Sequence, residues 1–265
     1  GWLLAAIQRL NTELAAPLRV RALTRSPQPT TAPWLSWVIG DVRDFRDDAP
    51  CDFIVHAALS SEAIPAGGGP ALIDTARRGA NAVAAHARRS GARRSVILST
   101  GAVYGALTGP PNEDATPGSI DSDDAYAIAK REVEAIARAS ASPSGGAGGP
   151  GSPHEVVSAR LFTCIGAGYR HHGHLAHVSL IDDACAGRSL ALRSDGSAIR
   201  SYLFGADLAI WILAFLTGEG NATVNVGSDQ AISLLEFART VARVAGGNAA
   251  SVTASGREPT VRPYF

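Results

Sequence analysis

The chain has 265 residues, 24 Lys and Arg against 24 Asp and Glu, with 46% hydrophobic and 18% charged residues. That length and apolar content suit one large globular domain, or a domain with a smaller lobe. Charge balance argues against a general basic face for nucleic acid or anionic membrane, so any binding groove has to be local.

Three cysteines, Cys51, Cys164 and Cys185, are odd in number and widely spaced. No C-x-x-C pair points to zinc or a redox centre, and reduced thiols in the cytoplasm are the expectation. No apolar run reaches the roughly 18 residues of a membrane span, and the first residues lack the order of a signal peptide. A soluble, cytoplasmic protein without a membrane partner is expected.

In chain order, residues 2–16 carry apolar side chains at helical spacing, with Gly1 just before them. Strands are expected over 18–25, 37–42 and 51–58, a helix over 71–89, and a continuous apolar strand over 95–100 that ends in hydroxyls. A helix follows around Tyr126. The Gly, Pro and Ser tract 139–153 has no periodicity and reads as a surface loop. Residues 154–162 resume a buried strand. Helices over 204–216 and 233–246 and a strand over 222–228 complete the pattern. Strands alternating with helices of this length indicate a parallel sheet covered on both faces.

The segment "AYAIAKREVE", 125–134, holds the chain's single lysine, Lys130, against 23 arginines. Tyr126 stands four residues before it. Residues four apart share a helix face, which lets a phenol and an ammonium look into one site. A cation about 5 Å from a phenolate at an effective dielectric near 20 contributes about 3 kcal/mol, roughly two pK units, enough to bring a phenol toward work as a general base near neutral pH.

Six segments in order resemble the extended short-chain dehydrogenase/reductases that act on nucleotide sugars, the NAD(P)-dependent epimerases, 4,6-dehydratases and related reductases. "DFIVHAA" resembles that family's D-x-x-x-H-x-A-A, "VILSTGAVYG" its S-S/T-x-x-V-Y-G, and "YAIAK" its Y-x-x-x-K pair. "ARLFTCIGAG", "IRSYLFGADLA" and "NVGSDQAISLLEFA" resemble three later segments, so the likeness runs along the whole chain. It implies a Rossmann-type doubly wound sheet over 1–160 and a mainly substrate-binding lobe over 161–265. Members begin with a strand and G-x-x-G-x-x-G; Gly1 stands at the last glycine, so the first strand is expected to be missing and the chain to be a fragment of a longer product.

The resemblance implies roles for particular residues. Thr100, Tyr126 and Lys130 would be catalytic, with Thr100 polarising the reacting oxygen and Lys130 also holding the nicotinamide ribose. Gly1, Arg25, Asp41 with Val42, Ala57, Ala58, Asn81 and Phe162 would line the cofactor. Arg25, at the end of the second family strand where NAD-selective members carry an acid, favours NADP over NAD. Arg200 and Arg257 would grip the diphosphate of a nucleotide-sugar substrate, and Thr163 replaces the usual Asn beside it. Gly101 and Ala102 stand where 4,6-dehydratases carry Asp and Glu, so epimerisation through a transient 4-keto sugar, or NADPH-dependent ketone reduction, leads over dehydration; a nonenzymatic NADP-sensing or scaffold protein on the same fold is the alternative of another class. The histidines His171, His172, His174 and His177 are expected on a loop over the substrate cleft, with no metal. A homodimer through the helices near 71–90 and 124–139 is also implied.

Overall fold

The computed structural model describes residues 1–29, 32–59, 67–105, 111–115, 117–122, 124–141, 154–167, 175–246 and 252–256. Helix α1 (Trp2–Asn11) leads into β1 (Val20–Thr24), β2 (Leu35–Ile39), β3 (Phe53–His56), α2 (Gly69–Ser90) and β4 (Arg94–Thr100). A 3-10 turn (Gly101–Tyr104), α3 (Ala125–Ser140), β5 (Glu155–Leu161) and β6 (Thr163–Ile165) follow. Beyond them lie α4 (Ala176–Cys185), β7 (Leu190–Leu192), β8 (Ile199–Phe204), α5 (Gly205–Thr217), β9 (Ala222–Val226), β10 (Ala231–Ser233), α6 (Leu234–Val244) and β11 (Val252–Ala254).

The strands of the α/β body are all parallel. β3, β4, β5 and β9 form one hydrogen-bonded sheet in that order, and β1 pairs with β2. The two groups are not bonded to each other among the described residues.

Both faces of the four-stranded sheet are covered, because each carries apolar side chains that pack on helices. Ile97 and Val156 meet Ala76 and Ala80 of α2 and Ala129, Val133 and Ala137 of α3 on one face. On the other, Val96, Val157 and Ala159 meet Ile212 and Phe215 of α5 and Leu3 of α1. The small residues of α2 and α3 let the helix backbones approach the sheet closely. A separate apolar cluster joins α4, α6, β7 and β11, with Leu190, Leu192, Phe237 and Ala238 at its centre. Among the described residues no helix is long and apolar enough to cross a membrane.

Three element boundaries differ from the sequence reading, each for a local reason. α1 stops at Asn11, whose side chain accepts from the Leu18 amide and donates to the Leu18 carbonyl at 2.7 and 3.0 Å, turning the chain back early. β2 begins at Leu35, the residue buried at its start, two positions before the expected strand. Residues 176–185 form a helix that the adjoining histidines obscured. Most of the Gly-rich tract, 142–153, lies outside the described residues.

Candidate active site

The C-terminal end of β4 is built to stop. Thr100 keeps an extended backbone while its hydroxyl accepts from the Ala102 amide at 3.3 Å, which starts the 3-10 turn immediately after it. Gly105 ends that turn at a φ of 66°, where a Cβ would lie 2.4 Å from the Ser119 carbonyl oxygen. Only glycine suits both the left-handed backbone and the space. Tyr104 is fully buried and donates its hydroxyl to Asn225 at 2.7 Å.

α3 enters the same region capped by Asp124, whose carboxylate accepts from the Ala127 amide at 3.0 Å. Ala127 and Ala129 are wholly buried, so the helix lies tight on its neighbours. Arg131 ties it to the turn by donating to the Val103 and Gly118 carbonyls at 2.8 and 2.6 Å. Tyr126 is half-buried in the first turn. One turn on, Lys130 is 4% exposed; its Nζ donates to the Leu98 carbonyl at 2.6 Å and stands 5.7 Å from the Tyr126 ring centroid. Leu98 is two residues before Thr100, so the three expected catalytic residues gather at one strand end.

Burial pushes the Lys130 ammonium down to about 8, against the pull of the nearby Glu134 carboxylate. His56, at the end of β3, is pushed down to about 4, first by burial and then by the Lys130 charge. A neutral imidazole and a hard-pressed ammonium thus share the interior beside the site. Sequence reading missed His56 in this role, and it also missed Ser99, Glu134 and Arg160 underneath. Glu134 did leave a trace, since it follows Lys130 at the interval that separates Lys130 from Tyr126.

The residues expected at a cofactor spread along the ends of successive parallel strands. Gly1 is the exposed N-cap of α1, Arg25 is exposed just after β1, and Ala57 and Ala58 are exposed just after β3. Asp41 is engaged by its neighbour: Arg43 grips both carboxylate oxygens at 2.8 and 2.9 Å, and that hydrogen bonding holds the carboxyl at about 2. Val42 packs on Gly79, where a Cβ would come within 3.3 Å of its methyls. Asn81 is exposed on α2, with its amide donating to the Arg77 carbonyl at 2.9 Å.

Phe162 packs with Val103 and Tyr104 and closes on Gly101. Thr163 begins β6, paired with Tyr202 of β8. Arg200, in β8, donates to the Ile199 carbonyl at 2.6 Å. Arg257, His171, His172 and His174 lie outside the described residues. His177 differs from its expected place over a cleft; it is buried in α4, its ring edge-on to Tyr202 and Phe237 at 5.9 and 6.5 Å. Among the described residues no group of side chains is arranged to hold a metal ion.

The donor set fits a dinucleotide: a guanidinium after β1, small residues after β3, and a buried ammonium beside a phenol at the end of β4. No curated protein matches the chain. Among solved structures it is similar to TunA, an NAD-dependent NDP-hexosamine 5,6-dehydratase involved in tunicamycin biosynthesis, with a TM-score of 0.77 at 21% identity over 100% of this chain and 84% of that one. MoeE5 in complex with UDP-glucuronic acid and NAD gives a TM-score of 0.75 at 21% identity, covering 97% and 83%. The UDP-N-acetylglucosamine 4-epimerase from Bacillus cereus gives 0.70 at 18% identity, covering 97% and 81%. These likenesses establish the shared fold. Residues 9–227 match the NAD dependent epimerase/dehydratase family, and the chain belongs to it.

Proposed function

We propose that the protein epimerises a nucleotide-diphosphate sugar through a transient 4-keto intermediate. The observation that carries this reading is the Lys130 ammonium, buried and set 5.7 Å over the Tyr126 ring at the strand end that also bears Thr100. The likeness to proteins solved with NAD and UDP-sugars supports the substrate class.

A nicotinamide held at the strand ends would supply the hydride removal and return that inversion of the sugar carbon requires. Tyr126, its phenolate favoured by the adjacent cation, takes the C4 hydroxyl proton as the carbonyl forms, and gives the same proton back on reduction. Thr100 donates to the reacting oxygen and fixes its direction. Lys130 would also reach the nicotinamide ribose, and Gly1, Arg25, Asp41, Val42, Ala57, Ala58 and Phe162 would line the remainder. Arg200 and Arg257 would take the diphosphate, and Thr163 would adjoin the sugar.

Dehydration needs an acid and a base to move water across C5 and C6, and neither Gly101 nor Ala102 supplies one. Phe162 adds a steric reason, because its ring occupies the space into which a side chain at 101 would grow.

Net reduction of a 4-keto sugar by NADPH is a second reading, favoured by Arg25, whose charge is felt at Asp41 and which would suit a 2′-phosphate. Absorbance at 340 nm with a nucleotide-sugar panel separates the two. An epimerase inverts a sugar carbon, seen by NMR, without net absorbance change; stoichiometric loss of NADPH would replace this reading with the reductase. A homodimer through α2 and α3 belongs to the same proposal, and sedimentation tests it.

A further inference from the structure

Beneath the Tyr126 and Lys130 turn lies a charged pair that the reaction above does not use. Glu134 and Arg160 are 3% and 5% exposed. Arg160 donates from Nε to Glu134 Oε1 at 3.0 Å and from Nη2 to Oε2 at 2.8 Å, a two-pronged grip. The Ser99 hydroxyl adds a third bond to Oε1 at 2.5 Å. Ser99 and Arg160 are direct partners across β4 and β5, so the two donors arrive side by side. The Arg160 guanidinium also lies 4.6 Å from the Tyr104 ring centroid, and Tyr104 is bonded to Asn225, the partner of Arg160 on β9.

A buried ion pair contributes little stability beyond what packed apolar side chains would give. Its location is more informative. Tyr126, Lys130 and Glu134 follow one another at four-residue intervals on α3, so successive turns carry phenol, ammonium and carboxylate. Three successive residues of β4 meet them: the Leu98 carbonyl accepts from Lys130, the Ser99 hydroxyl binds Glu134, and Thr100 caps the strand at the site.

We propose that Glu134 is a positioning residue for Lys130: clamped by Arg160 and Ser99, it presents a fixed anion one turn from the ammonium and keeps Lys130 charged and directed at the Leu98 carbonyl. The groups around Lys130 leave that task to Glu134. His56 faces it from β3 and is neutral, burial and the Lys130 charge both resisting its protonation. On α3 itself stand Tyr126 and the cation Arg131. Arg160 from β5 is turned onto Glu134 and Tyr104, and α2 brings alanine, glycine and valine to this face along Ala76–Ala84. Removing the carboxylate therefore withdraws an attraction and leaves the Arg160 charge unmatched close by. Both effects act against a protonated Lys130.

Because Lys130 is the sole lysine, lysine-selective isotope labelling gives one side-chain NMR signal, and its titration reads this ammonium directly. In the unsubstituted chain the midpoint should lie at about 8. Glu134→Gln should lower it by about one unit or more, and Glu134→Asp should return it to within about half a unit. Glu134→Gln with Arg160→Gln leaves no unmatched buried charge and should fold even where the single variant does not, with a midpoint between those of Glu134→Gln and the unsubstituted chain. An unchanged midpoint in the double variant, or in every variant that folds, overturns the proposal. The alkaline limb of kcat/KM should move with the NMR midpoint, which a merely structural Glu134 would not produce. Only this second readout rests on the proposed function. The NMR titration needs no substrate, so failure of the sugar assay and failure of this inference are distinguishable.

Discussion

Phe162 and Gly101, sixty-one positions apart in sequence, are in such close contact that a Cβ on the glycine would lie 2.7 Å from Cε1 of the ring. The ring cannot swing away freely, because Val103 and Tyr104 hold it. Gly101→Asp, which introduces the carboxylate that the resemblance associates with 4,6-dehydratases, should therefore cost about 1–3 kcal/mol and yield no water elimination. Gly101→Asp combined with Phe162→Ala should cost at least about 1 kcal/mol less than the sum of the two single changes, as denaturant unfolding of the four proteins would measure. Strict additivity would mean that the contact is not what excludes the carboxylate.

Tyr126→Phe removes one hydroxyl from a half-buried side chain and leaves the helix face intact. Stability should stay within about 0.5 kcal/mol, while kcat for sugar inversion falls about 100- to 10,000-fold. Thr100→Val should lose about 100-fold, whereas Thr100→Ser keeps the hydroxyl that accepts from Ala102 and should retain most activity. Steady-state rates beside thermal melts check both. A Tyr126→Phe enzyme of ordinary rate would end the proposed mechanism.

Much of this architecture was legible because it is written locally. Short continuous apolar runs marked β3, β4 and β5, longer helical stretches marked α2 and α5, and the four-residue step from Tyr126 to Lys130 placed both side chains on one helix face. What stayed hidden depends on pairings between distant segments. Nothing local to Phe162 announces that it packs on Gly101, and Arg160 reads as one arginine among many until β5 is registered beside Ser99. Asn81 is exposed on α2, and only its motif position, with nothing in its local pattern, suggested the cofactor. His177 likewise looked like part of a polar tract, yet the apolar residues that follow it form a helix that draws it into the core.

Keeping Lys130 charged has a cost in stability whose sign follows from its titration. The folded state releases the proton at about 8 and the unfolded state near 10.5. Below pH 8 both states are protonated and the fold bears the full penalty of burying the charge, about 3 kcal/mol; as pH rises from 8 to 10.5 the penalty disappears. Lys130→Met should thus stabilise the protein near neutral pH by about 2 kcal/mol, after allowing about 1 kcal/mol for the lost bond to the Leu98 carbonyl. That advantage should vanish by about pH 10.5, and activity should be lost at every pH. Urea midpoints across the alkaline range would measure it, and a destabilised Lys130→Met at neutral pH would contradict the electrostatic account.

His56 predicts the opposite flank of the stability curve. Its imidazole is neutral in the fold down to about pH 4, against 6.5 for an unperturbed histidine, because burial and the Lys130 charge both resist protonation. The unfolded chain therefore binds a proton that the folded chain refuses between pH 6.5 and 4. Stability is complete above 6.5, falls by about 3 kcal/mol as the pH drops to 4, and falls no further on this account below that. His56→Leu should flatten that part of the curve, leaving only the contribution of other groups such as His154, which burial also shifts downward. The measurement is the difference in unfolding free energy between the two proteins at matched pH values through this range. A constant difference from pH 7 to pH 4 would show that His56 is not the group whose protonation opens the fold in acid.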